Sequence, residues 1–283
     1  MRWIRRLIGD GVPLIQDVQP PSAVHVEGED RLHATRSLDR LAIVAHWAPD
    51  ARVGRSPREL VGALVANGYE VLFVSAAPGA EPLDWASGRP PPATILRRPN
   101  VGYDFGSWGT ALQRYPWIGG IDQVLLVNDS LIGPFGPMDH LLEQFDGSRA
   151  DVWGLTDTTQ FTHHLQSYCL GFKGGCLNEG PLARFWRTVR AEDSRDAVIM
   201  RNEIGLARLL ARERFVTEAA IPYWRLVAEG QNPTIMGWRR LLDHGFPFVK
   251  RQLLLHPDLA PDGRDARAVI EGRFGIGVDA WLS

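Results

Sequence analysis

LAIVAHWAPDARVGRSPRELVGALVANGYEVLFVS, residues 41–75, places two apolar runs on either side of a helical pattern. LAIVAHW (41–47) is continuous in its apolar character and ends in polar residues, as a fully buried strand does. Pro57 opens a helix with Ser56 as its N-cap; the helix carries Leu60, Ala63, Leu64 and Val65 and stops at Asn67-Gly68. YEVLFVS (69–75) is a second buried strand. Strand, helix and strand joined this closely make a parallel pair with a right-handed crossover. The alternation continues outward through strand 93–99, helix 106–116, strand 121–129 (IDQVLLVND), helix 137–145 and strand 151–155 (DVWGL). The expected fold is α/β, a Rossmann-type, mostly parallel sheet with helices on both faces. Beyond it, 165–173 and 213–219 read as strands, and 181–189, 201–212 and 233–244 as helices.

The chain has 283 residues, of which 45% are hydrophobic and 23% charged, the balance of a folded globular protein rather than a disordered one. The expected organisation is a lead-in segment over 1–38, one domain over 39–255 and a tail over 256–283 packed on it. Lys plus Arg number 31 and Asp plus Glu 33, a net charge of -2, so the basic field of a general nucleic-acid binder is missing. Cys169 and Cys176 exclude a disulfide framework and lack the second pair that zinc requires; they read as buried thiols. Lys173 and Lys250 are the only lysines, so nearly all positive charge is arginine. No run approaches a membrane span. On a helix, residues 1–8 would set Trp3, Ile4, Leu7 and Ile8 against Arg2, Arg5 and Arg6, a segment that either rests on an anionic membrane surface or docks on the domain. The expected location is cytoplasmic, at the inner face of the membrane if the first reading holds.

Open α/β sheets bind ligands beyond the carboxyl ends of their strands. His46 follows the first strand, Ser75 ends the second, Arg97, Arg98, Asn100, Gly102 and Asp104 follow the third, and Asn128 and Asp129 end the fourth. Two readings fit Asn128-Asp129. A carboxylate there holds Mg²⁺ or Mn²⁺, and through it a diphosphate, or the pair closes the strand as an Asx turn. Residues 97–104 match neither a P-loop nor GxGxxG; they bring guanidinium and backbone N–H groups to a phosphate, or they form a strand-to-helix turn. His163-His164 cannot converge on one metal and read as a loop pair that hydrogen-bonds or touches substrate. Glu203, just before IGLARLL, is a general base or a first-turn carboxylate that complements the helix dipole. Trp108, Trp153 and Trp238 are placed near the site, where they could line a sugar-binding surface.

RRPNVGYDFGSWGTAL (97–112), VLLVNDSLIGPFGP (124–137), DVWGLTDT (151–158), HHLQSYCLGFK (163–173), NEIGLARLL (202–210) and NPTIMGWRRLLDHGFPFVKRQLL (232–254) occur in this order. Together they resemble the rhamnan synthesis protein F family and, more distantly, glycosyltransferases of the GT-A arrangement. The resemblance implies an inverting glycosyltransferase that moves rhamnose from dTDP-rhamnose to a growing cell-surface polysaccharide, on a glycan or lipid-linked glycan acceptor. It makes Glu203 the catalytic base, Asp129 the metal ligand, and Asp157, His164, Gln166 and Tyr168 acceptor contacts, with Arg97 and Arg98 able to replace the metal. Two departures stand out. Asn-Asp-Ser takes the place of Asp-x-Asp, and Asn-Glu the place of Glu-Asp. They leave a second reading, a glycosyltransferase-shaped domain without activity that binds glycan or scaffolds an assembly. A reductase or methyltransferase would need a Gly-rich fingerprint after the first strand, which is missing.

Overall fold

In the computed structural model the described residues are 12–33, 38–85, 88–192 and 194–282. A nine-stranded sheet runs through the molecule: β1 (His25–Glu27), β2 (Arg40–His46), β3 (Glu70–Ser75), β4 (Thr94–Arg97), β5 (Gln123–Asn128), β6 (Val152–Thr158), β7 (His164–Leu165), β8 (Cys169–Lys173) and β9 (Thr217–Ile221). The order is β1-β4-β3-β2-β5-β8-β6-β7, with β9 also paired to β6. The apolar runs of the sequence are β2, β3 and β5, and they lie side by side because each is buried on both faces.

The sheet is mixed rather than mostly parallel. Four strands, in the order β4-β3-β2-β5, are parallel, and β9 runs parallel to β6. The pairs β1–β4, β5–β8, β8–β6 and β6–β7 are antiparallel. The cause is chain length. Only residues 159–168 separate β6 from β8, too few for the helical crossover that a parallel neighbour demands.

Helices α1 (Arg55–Ala66) and α2 (Tyr103–Arg114) follow β2 and β4, and α3 (Asp139–Gly147) follows β5. Leu60 and Leu64 of α1 and Phe145 of α3 join one apolar layer. Phe105 and Trp108 of α2 join the other, with Trp186 of α4 (Gly180–Arg187) and Leu209 of α5 (Ile204–Glu213). A third cluster joins Ile132 and Trp238 to Trp281 near the chain end. The segment before β2 takes part in the sheet: Ile15 is fully buried, and β1 edges β4.

Some local expectations change. Ser56 is not the cap of α1; Gly54 holds that position. The Ser56 hydroxyl is buried, reaches the Gly133 carbonyl at 2.8 Å and accepts from the Gly133 N–H at 3.1 Å, so it tethers α1 to the turn after β5. Trp108, Trp153 and Trp238 are 0–1% exposed and belong to the three cores, so none of them lines a sugar-binding surface. Their rings are the largest apolar surfaces available to fill the layers. Cys169 and Cys176 are free, buried thiols. Lys173 donates to the carbonyls of Phe145, Asp146 and Ser148 at 2.6–3.0 Å, satisfying the end of α3. Among the described residues no helix is long and apolar enough to cross a membrane. The amphipathic segment 1–8 lies outside the described residues.

Gly171 lies in β8 between β5 and β6, and a Cβ there would overlap the Phe145 ring. We expect Gly171→Ala to cost about 1–3 kcal/mol through overpacking, read as a melting point several degrees lower. Gly120→Ala, with open space around it, is the control and should barely move.

Candidate functional site

The chain steps from β2 to β3 to β4 on one side and returns to β5 on the other side of β2. A strand order that reverses in this way opens a crevice beyond the carboxyl ends of the two strands at the switch, here β2 and β5. Two spaces occupy this edge. A cavity of about 400 Å³ is lined by Asp104, Asn128 and Ser130, by His164, Gln166 and Tyr168, and by Glu203. A cleft of about 610 Å³ lies beyond β2, β3 and β4, with Trp47, Pro78, Arg98 and Asn100 in its wall.

Asn128 organises the cavity's floor. Its Nδ2 donates to Asp104 Oδ2 at 2.6 Å, and its Oδ1 accepts from the Ser130 N–H at 3.1 Å and the Ser130 hydroxyl at 2.6 Å. The Asx turn is therefore present, and it comes with a carboxylate neighbour that the sequence had placed 24 residues earlier. Asp129 turns the other way: its Oδ2 accepts from the Trp47 N–H at 3.0 Å and lies 3.9 Å from His46 Nε2. Asp129 itself lines neither space: its partner Trp47 lines the cleft, and its chain neighbours Asn128 and Ser130 line the cavity.

Burial sets the charges. Burial pushes the Asp104 carboxyl up to about 7, helped by Asp129 and opposed by the Asn128 hydrogen bond. Burial also raises Asp129 to about 6, against the Trp47 N–H and Arg251. Lys250 is lowered to about 8 by burial and by Arg195. Its Nζ donates to Ser130 Oγ at 2.9 Å. His46 is driven down to about 3 by burial, then by Arg251 and Arg97, so its imidazole is neutral near pH 7. Several perturbed groups on one crevice are a mark of functional sites.

Glu203 does not sit at a helix start. Ser194 caps the helical stretch, accepting from the Ala197 N–H, and Arg195–Val198 leads into a π turn over Ile199–Glu203 before α5. The dipole reading of Glu203 therefore loses its basis. π turns recur at functional sites. The carboxylate accepts from the Ser167 hydroxyl at 2.6 Å and faces His164 Nε2 at 3.5 Å. His164 Nδ1 meets the Thr162 carbonyl at 2.8 Å, which orients the ring.

The other expected residues divide. Gln166 accepts from the Thr156 hydroxyl at 2.8 Å, and the Tyr168 hydroxyl meets the same group at 2.8 Å, so both are held in the cavity wall. Burial raises the Tyr168 phenol further above its ordinary range. Asp157 lies outside the lining; it accepts from the Tyr223 N–H at 2.6 Å and pairs with His163 at 2.7 Å. His46 and Ser75 are interior and hydrogen-bond each other at 3.1 Å, so they support the crevice from below. Arg97 donates to Glu27 at 2.6 Å and to the carbonyls of Glu81, Ala77 and Gly79. Arg98 is bound by Gln19 at 2.8 Å, Ser107 at 3.0 Å and the Val101 carbonyl. Both guanidinium groups hold the scaffold. Gly102 has φ +74°, and a side chain there would press on Ile15 and the Arg190 carbonyl, so it serves a turn.

Lys250, Arg251 and Arg195 line the cavity and were not anticipated. One signal was available: Lys250 is one of two lysines in an arginine-rich chain, and the other caps a helix. Tyr103 and Phe161 also line it, 45% and 75% exposed, both at positive φ (54° and 67°). Non-glycine residues are rarely found there, and such strain collects at functional sites. Among the described residues no group of three His, Cys, Asp or Glu is placed to hold a metal. Asp104 and Asp129 are hard oxygen donors of the kind Mg²⁺ or Mn²⁺ takes when phosphate oxygens and water complete the shell.

Because the folded chain raises Asp104 from 3.8 to about 7, the native state binds its proton more tightly than the unfolded state. Its contribution to stability is therefore present at low pH and is lost as pH rises from about 4 to about 7. Asp104→Asn removes that loss. We expect the variant to melt a few degrees above wild type at pH 8, with the gap closing near pH 4. A variant less stable than wild type at pH 8 would contradict the burial assigned to this carboxylate.

A family model described as rhamnan synthesis protein F matches residues 92–272. Virulence protein VirA of Vibrio anguillarum is 31% identical over 192 residues, covering 56% of this chain and 62% of that protein. The uncharacterized protein y4gN of Sinorhizobium fredii is 28% identical over 124 residues, 40% of this chain and 31% of its own length. The chain thus spans less than two thirds of these relatives. Among solved structures, A197 from STIV aligns with 64% of this chain and 82% of its own at 10% identity and a TM-score of 0.30, too slight a likeness to argue from. The family match runs through Asp104, Asn128, Asp129, Glu203 and Lys250 and takes in most of the sequence: the chain belongs to the rhamnan synthesis protein F family.

Proposed function

We propose that the chain is a GT-A-like glycosyltransferase of polysaccharide assembly, moving a sugar from a nucleotide diphosphate-sugar to a glycan or lipid-linked glycan. One observation carries the reading. A carboxylate able to take a proton, Glu203, and a set of cations suited to a leaving diphosphate, Lys250, Arg251 and Arg195, share one cavity at the switch point of the sheet. Family membership supports rhamnose as the sugar and dTDP-rhamnose as the donor. A lipid-linked acceptor would be met at the inner face of the cytoplasmic membrane.

The nucleotide occupies the cleft of Trp47, Pro78 and Asn100, with the half-exposed Trp47 indole as a stacking surface for the base. The diphosphate crosses past Asp129 into the cavity. There Lys250 and Arg251 stabilise the charge that grows on it as the glycosidic bond breaks. Arg97 and Arg98 give most of their donors to the scaffold, so this step is assigned to Lys250 and Arg251 instead. Asp129 and Asp104 are the carboxylates that would hold Mg²⁺ or Mn²⁺, which would supply Lewis-acid stabilisation of the same charge. Glu203 takes the acceptor hydroxyl proton. Ser167 holds one of its oxygens, leaving the other toward His164 and the cavity. Gln166, with Tyr103 and Phe161, aligns the acceptor, and aromatic faces are suited to sugar rings. Asp157 acts at one remove, by fixing the loop that carries His163.

The inactive-domain reading rests on a single carboxylate at the end of β5. Asp104, brought beside Asn128, weakens it by adding a second. Donor hydrolysis and transfer assays over a panel of nucleotide sugars, with Mn²⁺ and with EDTA, test the proposal. Tight donor binding without any turnover would favour the inactive domain.

Glu203→Gln keeps the shape and removes the basicity. We expect it to bind donor normally, melt within a few degrees of wild type and transfer sugar roughly two to four orders of magnitude more slowly. Near-normal transfer by the folded variant would sink the assignment. Phe161→Ala, at an exposed position, should raise KM for the acceptor and leave donor binding unchanged.

A further inference from the structure

A second space, about 550 Å³, lies between α4 and α5 and shares no lining residue with the cavity of Glu203. Its wall holds five arginines, Arg184, Arg190, Arg201, Arg208 and Arg212, and one carboxylate, Glu213. In a chain of net charge -2 this is a strong local excess. Three of the five are engaged: Arg190 with the Val12 carbonyl, Arg201 with Glu192 and Arg212 with Glu213. Among the described residues Arg184 and Arg208 have no carboxylate partner, and both are exposed.

A solvated arginine face would explain the charges alone. It does not explain Asn202. That side chain is 2% exposed, lines this cleft, and its Nδ2 has no hydrogen-bond partner. A buried N–H without an acceptor is costly, so an oxygen-rich ligand at this place would complete it. Guanidinium groups pair with phosphate oxygens through two parallel N–H bonds, which carboxamide donors can extend. Asn202 and Glu203 are consecutive in the π turn, yet one faces this cleft and the other faces the cavity.

We propose that the cleft between α4 and α5 is a second site for a phosphate or diphosphate group, held by Arg184, Arg208 and Asn202. The group is carried by a soluble diphosphate or by an anionic phospholipid.

The test uses the full chain in EDTA. Inorganic pyrophosphate is titrated while amide NMR signals of Thr188 and Gly205, both in the cleft wall, are followed. Vesicles of phosphatidylcholine with and without phosphatidylglycerol are co-sedimented in parallel. We expect shifts at those amides, or phosphatidylglycerol-dependent sedimentation, in wild type and in Lys250→Gln. The doubly substituted Arg184→Glu/Arg208→Glu protein, checked for an unchanged melt, should bind at least about tenfold more weakly. Pyrophosphate binding without sedimentation assigns a soluble ligand; sedimentation lost in the double variant assigns the lipid headgroup. Equal binding by wild type and the double variant, or neither response in wild type, overturns the proposal.

Discussion

The 2.6 Å hydrogen bond from Asn128 to Asp104 is the contact on which the crevice depends. It joins the end of the most apolar strand to the first turn of α2, 24 residues earlier in the chain. The same amide turns the chain at Ser130, and Ser130 in turn receives Lys250. Three distant segments therefore meet at Asn128 and Ser130. The bond also lets a carboxylate persist in a place where burial opposes its charge. Replace the amide with an apolar group, and Asp104 and Ser130 would both lose their anchor.

Charge in the cavity is balanced within itself. The acids Asp104 and Asp129 are raised and the base Lys250 is lowered, each mainly by loss of water, while their mutual attraction holds part of the charge in place. Fixed dipoles and cations of this kind stand in for solvent around any charge that enters the cavity. His46, kept neutral, contributes geometry: it connects Ser75 on β3 to Asp129 after β5.

Much of the crevice was legible in the residues after each strand. Asp104, Asn128, His164, Gln166, Tyr168 and Glu203 come together in one cavity as their positions suggested. Arg97 and Arg98 did not, because a guanidinium brings five donors that a polar edge of the protein readily occupies, and nothing local to a strand end shows which partners will arrive. Trp108, Trp153 and Trp238 were misplaced for a related reason: nearness in sequence to a site says nothing about which face a ring takes. Lys250, Arg251 and Arg195 come from segments far from the strands, and only folding delivers them.

The sequence by itself determined the parallel core and its edge. Unbroken apolar runs must be buried on both faces, and short strand–helix–strand joints admit one hand and one direction. It also determined that polar residues gather at the carboxyl ends of β2 and β5. Only the tertiary structure decided that β8 inserts antiparallel between β5 and β6, that Glu203 rides on a π turn rather than a helix start, and that Asp104 stands beside Asn128. Periodicity and turn chemistry act over a few residues, so they can be read along the chain. Pairing of buried polar groups is settled among residues tens to hundreds of positions apart, by whichever arrangement leaves the fewest of them unsatisfied.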